Sequence, residues 1–362
     1  MKFDRNNCLG GRFNNKDIIG IKYNGYIIYE AANVPSDDPS DPSNPVDTYN
    51  NVYTVKVIEY PSVTRMDVDN KTCLTDKSLL TDWGDGTIDS EYTHNYQPND
   101  GDDCNYRIVT TGFLENASGS LTGNTEYIVA VEQIRPDIVH AGGLFCGYEN
   151  VTTENLFLPE TSSMTDMNHM FAYCKSLTTL DLNSFDTSNV TDMEQMFIGC
   201  EKLTSLNVSS FNTSNVTDMT DMFSYCYKLT SLDVSSFDTS KVTNMDGMFT
   251  YCSTLTSLDL SNFDTSNVTG MYCMFSACNA LESLNLSNFN VSETTNVDAM
   301  FQDCDNLHTI RLDNCSNETI DKIINSTKFP TGTTTVARVI FCKQENAAGL
   351  TAPTNWVFEY ID

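Results

Sequence analysis

Residues 190–215 read VTDMEQMFIGCEKLTSLNVSSFNTSN, and the pattern returns every 26 residues through the C-terminal half of the chain. Met170-Phe171, Met196-Phe197, Met222-Phe223, Met248-Phe249, Met274-Phe275 and Met300-Phe301 all fall in this register. So do Cys174, Cys200, Cys226, Cys252, Cys278 and Cys304. A strict period of this length means stacked supersecondary units, each too small to bury a core alone. The repeat therefore decides the fold as a solenoid. It points to a protein that presents a surface rather than one built around a reaction.

Within the unit, Thr191-Asp192-Met193-Glu194 has the form of a capping box, with Thr191 as N-cap and Glu194 reaching back. Met193, Met196, Phe197 and Cys200 follow at i, i+3, i+4 and i+7, which predicts one apolar face of a short helix. Leu206 and Val208 alternate around Asn207 and predict a short strand with one buried face. Phe211-Asn212-Thr213-Ser214-Asn215 closes the unit with turn formers. The expected fold class is an α/β leucine-rich-repeat-like solenoid, a parallel sheet plus short helices, preceded by an all-β domain. Six coils at a strand spacing of about 4.8 Å would make a slab roughly 30 Å long.

The ends of the array are degenerate, as capping coils should be. One period before Met170-Phe171 stands Leu144-Phe145, and at the far end Cys315 replaces the repeat phenylalanine. Glu318 to Ile324 then reads as a helix, and Val336 to Phe341 as a strand closing the stack.

The Leu-x-x-Leu-x-Leu core resembles a leucine-rich repeat. Over Met164 to Leu312 the longer pattern, M-x-x-M-F-x-x-C-x-x-L-x-x-L-D-L-S-x-F-D-T-S-N-V-T, is similar to the 26-residue repeat of BspA-like bacterial surface proteins. That resemblance implies surface display and a part in adhesion or host interaction.

Upstream, the chain divides into an N-terminal β-hairpin segment (1–33), a Pro/Ser/Asp linker (34–46) and a β-rich domain (47–124). The solenoid (125–315) and a C-terminal cap (316–362) complete it. In the first segment two β-rich runs flank Asn24-Gly25, a strong hairpin signal. Some 30 residues cannot sustain a large core, so Ile21, Tyr23, Tyr26 and Ile28 are candidate anchor residues for an assembly. The hairpin resembles, over a short stretch, those of phage minor structural proteins. Asp82-Trp83-Gly84-Asp85-Gly86-Thr87 and His94-x-Tyr96 resemble the pattern of PKD-like β-sandwich domains, in which that segment is a tight turn with a packed Trp. Asp82, Asp85 and Asp89 offer the alternative of a calcium loop.

The formal charge of -29, from 49 acidic against 20 basic residues, argues against nucleic acid and against anionic lipid as partners. No run approaches the roughly 18–20 apolar residues of a membrane span, and Met1 to Cys8 lacks an apolar signal region. The six repeat cysteines form a ladder expected to be reduced and buried as small hydrophobes, which suits folding in a reducing compartment. The thirteen cysteines and four histidines show no zinc spacing, and no nucleophile, phosphate-loop or metalloprotease motif occurs. Neither a cofactor nor an enzymatic activity is expected; a metal-dependent hydrolase using the acidic β-domain loops stands as the alternative from another class.

The candidate binding residues lie on the strand face of the solenoid: Asp181, Asn183, Asn207, Asp233, Asp259 and Asn285. Ladders of Ser, Thr, Asn and Asp can equally satisfy one another. Tyr173, Tyr225 and Tyr251 offer a second contact stripe, or partly buried packing. Expected partners are virion or surface proteins through the N-terminal segment, and a host-surface protein or glycan through the solenoid, with a homo-oligomer as a further option. Two settings compete: a phage virion appendage for adhesion or receptor binding, favoured here, and a bacterial cell-surface adhesin.

Overall fold

A computed structural model describes residues 142–291, 295–330 and 336–361 in full, and before them the backbone of the strands between residues 12 and 133. The chain divides into two compact units, 1–136 with 155–159, and 137–154 with 160–362.

In the first unit Ile19–Tyr23 pairs antiparallel with Tyr26–Glu30, with Tyr23 opposite Tyr26 and Ile21 opposite Ile28. The hairpin expected around Asn24-Gly25 is therefore formed; those two residues lie outside the described ones. Five strands make one antiparallel sheet in the order Ile128–Gln133, Asn51–Val57, Cys104–Thr110, Thr81–Asp82, Ile88–Asp89. The sheet of this unit thus extends past residue 124. Trp83–Thr87, the turn of the PKD-like pattern, and the Pro/Ser/Asp linker lie outside the described residues, as does the sandwich packing.

The second unit is the solenoid. Phenylalanines 145, 171, 197, 223, 249, 275 and 301 stack into one column, with ring centroids 5.2 to 5.9 Å apart. Those from Phe171 onward lie within 9° of parallel to their neighbours. Columns of Met, Leu and Cys run alongside, all buried. Leu144-Phe145 is therefore a true first coil, as its degenerate sequence implied.

The helix expected at Met193–Cys200 does not form, and the reason is the hydrogen-bond demand of stacking. Along the equivalent segment of the preceding coil, the N–H groups of Met167, His169, Phe171 and Tyr173 donate to the carbonyls of Asp192, Glu194, Met196 and Ile198 in the next coil. Those of Met170, Ala172 and Cys174 turn back three residues, to Met167, His169 and Phe171. A helix would keep every bond within its own coil and leave coils joined by side chains alone. Here alternate amides serve the coil and its neighbour, so each buried N–H is satisfied. The alternation needs a left-handed residue at two places per coil: 143/147, 169/173, 195/199, 221/225, 247/251, 273/277 and 299/303. Met193, Met196, Phe197 and Cys200 still face inward, because a chain of turns shares the helix's apolar spacing.

The capping box is also read differently by the fold. Asp192, not Thr191, accepts the backbone N–H of Glu194, at 2.8 Å. Thr191 instead bonds the carbonyl of Thr165 one coil back, through both its amide and its hydroxyl. This place carries the longest ladder of bridges, Asp166–Asp192–Asp218–Asn244–Gly270–Asn296.

On the opposite face the expected parallel strands appear as Thr179–Asp181 with Ser205–Asn207, and Ser283–Asn285 with Thr309–Arg311. The single continuous sheet expected there is interrupted at residues 231–233 and 257–259, which are not in strands. Side chains join those coils instead: Asn262 Nδ2 donates to the carbonyls of Val234 and Phe237, and Thr254 Oγ1 to those of Tyr227 and Leu229.

The cap contains Asn317–Ile324, the α-helix among the described residues, with Ser316 capping Thr319 N–H at 3.1 Å. The closing strand is Arg338–Lys343, and a further one, Trp356–Ile361, extends the parallel sheet beyond it. Trp356 covers the column's end through Phe329, at 5.3 Å, which in turn meets Phe301 at 5.7 Å. Buried Arg338 lies over the Trp356 ring and donates to the carbonyls of Pro330 and Asp305.

Candidate functional site

Every candidate on the strand face is brought together in one row, and most are already occupied. Asp181 Oδ1 accepts the N–H of Asn183, Asn207 that of Ser209, Asp233 that of Ser235, Asp259 that of Ser261, and Asn285 that of Ser287, all at 3.0 to 3.2 Å. These are Asx turns, in which the side chain imitates a backbone carbonyl to bend the chain out of the strand. Asn183 further accepts the Ser209 hydroxyl from the next coil, at 3.0 Å. Hydrogen bonds from the Ser235 side chain and amide hold the Asp233 carboxyl below the ordinary carboxylate range. The Ser261 amide and hydroxyl do the same for Asp259. The row is solvent-facing, apart from half-buried Asn207, but one side-chain oxygen of each turn residue is engaged in the turn that follows. The anchor candidates Ile21, Tyr23, Tyr26 and Ile28 face one another in register across the hairpin backbone. Their side chains lie outside the described residues.

A second polar device escaped the sequence reading. Thr161, Thr187, Thr213, Thr239 and Thr265 are buried. Thr213 Oγ1 donates to the carbonyl of Asp238 and accepts that residue's N–H, both at 2.8 Å. Thr187, Thr239 and Thr265 clasp Asn212, Asp264 and Asn290 in the same way. The sequence carries this Thr at 161, 187, 213, 239 and 265 and Val291 one period further on, but the Ser that follows it recurs just as strictly, so nothing there marks the Thr as the buried hydroxyl.

The cysteine ladder is free, as expected, among the ten described cysteines. Cys200 Sγ lies 3.2 Å from the carbonyl of Phe171, and Cys174, Cys226, Cys252, Cys278 and Cys304 repeat the contact one coil along, at 2.9 to 3.3 Å. Each thiol donates weakly to a carbonyl inside an apolar column. Burial pushes these thiols well up, Cys304 to about 12, so they remain protonated and inert.

The turn face carries a different surface. Burial raises the carboxyls of Asp192, Glu194, Asp221 and Asp246, and neighbouring carboxylates raise them further: Asp166 and Asp218 beside Asp192, Asp246 beside Asp221. Next to this acidic row Tyr225 and Tyr251 stack at 4.9 Å and 12°, and Tyr227 meets both edge-on, at 5.9 and 6.1 Å. Tyr173 lies over Gly199, so close that a Cβ there would fall 2.6 Å from its ring. The second stripe is thus a solvent-facing aromatic cluster, with Tyr225 and Tyr251 37% and 40% exposed.

His169 and His308 sit in different coils; His308 Nδ1 is 3.0 Å from Thr309 Oγ1, and Nε2 is 3.9 Å from Glu282. Among the described residues no group of three or more His, Cys, Asp or Glu is placed to hold a metal, and no helix is long and apolar enough to cross a membrane.

With this geometry in hand, the family described as "Mycoplasma protein of unknown function, DUF285" matches residues 141–233 and 227–330. Together the two matches span 141–330, just over half of the 362 residues. The chain belongs to this family. The matched span begins at residue 141, one before Gly142 of the first coil, and runs to Pro330, which accepts the Trp356 indole N–H at 2.6 Å. It is consistent with the BspA-like repeat and adds nothing on the PKD-like or phage resemblances. No curated protein and no solved structure matches the chain.

Proposed function

We propose that this protein is a non-enzymatic binding protein displayed on an exterior surface, where the solenoid presents contacts for adhesion. The observation that carries the reading is the way coils repeat their outward groups side by side, as rows along the stack. A row engages an extended partner by repetition, as solenoids do. The polar groups that a catalytic reading would need to converge are instead engaged pairwise in turns and inter-coil clasps.

The family match and the BspA-like repeat favour the setting of a bacterial cell surface. The virion appendage is the second reading, and the hairpin pairing of Ile19–Tyr23 with Tyr26–Glu30 is the observation on its side. In both, the first unit holds the protein to its carrier and the solenoid meets a host protein or glycan. Quantitative mass spectrometry of cell envelopes and of purified phage particles from the source separates the two. Enrichment in envelopes is expected; stoichiometric enrichment in particles would replace the adhesin with a virion protein. Finding it only in the soluble cell fraction would overturn surface display altogether.

A further inference from the structure

We infer that Tyr225, Tyr227 and Tyr251 form a docking surface for a basic protein segment, one that offers arginine or lysine side chains. The inference deepens the binding reading above and rests on it.

One left-handed slot recurs in each coil. Positions 147, 173, 199, 225, 251, 277 and 303 are equivalent, and all have φ between 57° and 76°. The slot holds Gly147, Gly199, Ala277 and Asp303 in four coils, so the coil does not require an aromatic residue there. Tyr225 and Tyr251 occupy it at φ 60° and 58°, a conformation that bulky side chains rarely take. The left-handed backbone is common to every coil, so what distinguishes these two is that tyrosine stands where other coils place Gly or Ala. The rings also stay in solvent, although the buried Phe column lies within the same coils.

Charge selects the partner. Asp221 stands in the other left-handed slot of Tyr225's coil, with the carboxyl of Asp246 nearby. Glu201 faces Tyr227. The nearby cations are partly committed: Lys175 is bound to Glu149 at 2.6 Å and His169 faces Glu194, while Lys202 and Lys228 are exposed in the chain beside Glu201 and Tyr227. Aromatic faces attract guanidinium and ammonium groups, carboxylates bind them directly, and tyrosine is enriched at interface hot spots. Exposed Glu201 faces the cluster at Tyr227, and half-buried Asp221 and Asp246, the latter already accepting the Tyr272 N–H at 2.6 Å, add negative charge in the same coils, so the cluster fits a basic segment better than a neutral one.

The test uses the full chain and a fluorescent oligo-arginine peptide, read by anisotropy at physiological salt, with a neutral Gly-Ser peptide and a neutral oligosaccharide as further probes. Tyr225→Gly/Tyr251→Gly places in the slot the residue already found at Gly147 and Gly199, so the fold is retained, as circular dichroism would verify. Asp233→Asn/Asp259→Asn removes two charges from the strand face as a control for bulk electrostatics. Loss of affinity of about tenfold or more in the tyrosine variant, against less than about twofold in the control, is expected. Equal affinity of native protein and tyrosine variant would overturn the proposal, as would an oligosaccharide that binds through these tyrosines while the peptide does not. Adhesion to cells is measured in parallel. Native-strength adhesion by the tyrosine variant sinks this surface but leaves the display reading intact, whereas a native chain that adheres to nothing sinks the display reading itself.

Discussion

Replacing Phe223 by alanine tests whether the aromatic column holds the coils together. The ring is fully buried and stacks at 5.6 Å on Phe197 and 5.7 Å on Phe249, with Phe237 at 6.4 Å. Truncation removes about 110 Å² of buried apolar surface, worth about 2.8 kcal/mol at 25 cal/mol per Å². A residual cavity of about 60 Å³ adds about 1.5 kcal/mol at 24 cal/mol per Å³. The sum, about 4 kcal/mol, falls within the usual range for Phe→Ala in a core. In a stack where each coil touches only its neighbours, this loss weakens two successive interfaces at mid-array. Hydrogen exchange read by mass spectrometry resolves where it falls. Amides that donate between coils near the mutation, such as those of Phe197, Gln195 and Tyr225, should lose protection by roughly two to three decades, at 1.4 kcal/mol per decade. A cost below about 1 kcal/mol, or protection lost only at the cap, would refute the column as the main source of cohesion.

The remaining predictions concern the polar devices. Thr213→Val should destabilise by about 1–3 kcal/mol in urea unfolding, because it strands both the N–H and the carbonyl of Asp238; a neutral effect would count against the clasp. Among the described cysteines, peptide-level alkylation of the native protein should spare Cys174, Cys200, Cys226, Cys252 and Cys278 and mark Cys146 and Cys273 first, since those two are only half-buried. The ladder thiols should lower stability above about pH 9, where unfolded thiols ionise and the buried ones, with raised pKa, do not; a flat alkaline stability profile would contradict their burial. Asp192, Glu194, Asp221 and Asp246 have raised folded pKa values, so the folded state binds more protons and their destabilising effect, full at neutral pH, is relieved as pH falls toward the ordinary carboxylate range. Asp221→Asn/Asp246→Asn should therefore raise stability at pH 7 and blunt its rise on acidification; unchanged pH dependence would be the contrary result.

The period, the inward columns and the degenerate first coil were all legible in the sequence, because burial at 26-residue spacing depends on side-chain type alone. The conformation between the columns was not. Met193, Met196, Phe197 and Cys200 satisfy a helical wheel, yet the same spacing serves a chain of turns, and only the neighbouring coil's carbonyls decide between them. A hint lay in Gly199 and Gly247, which are poor helix residues placed where the backbone turns left-handed. The strand-face candidates were correctly placed toward solvent, but their pairing with the amide two residues on is a local geometry that a list of outward residues does not convey. Asp233-Val234-Ser235 and Asp259-Leu260-Ser261 have the form of Asx turns as much as of a binding row. Thr213 was hidden for the opposite reason: in a string of Thr, Ser and Asn nothing marks which hydroxyl is buried.

The distribution of polar bonding also explains why this architecture can vary its surface without losing its fold. The Asp or Asn at the turn bridge, the buried Thr and the Asx acid after the strand each complete a backbone bond, so substitution at those places costs stability in every coil. Where the ladder residue is Gly270, the amide of Tyr272 turns instead to Asp246 of the preceding coil, at 2.6 Å, so even a missing ligand is replaced locally. The left-handed slots at 147, 173, 199, 225, 251, 277 and 303 are different. From 147 to 277 their backbone is fixed by inter-coil amide bonds. Gly, Ala, Asp and Tyr are all found there, with Tyr costing about 1–2 kcal/mol relative to Gly for the left-handed backbone. Positions that the fold constrains in conformation and leaves open in chemistry are where a display protein can change its partner, and Tyr225 and Tyr251 of the aromatic cluster sit on that set.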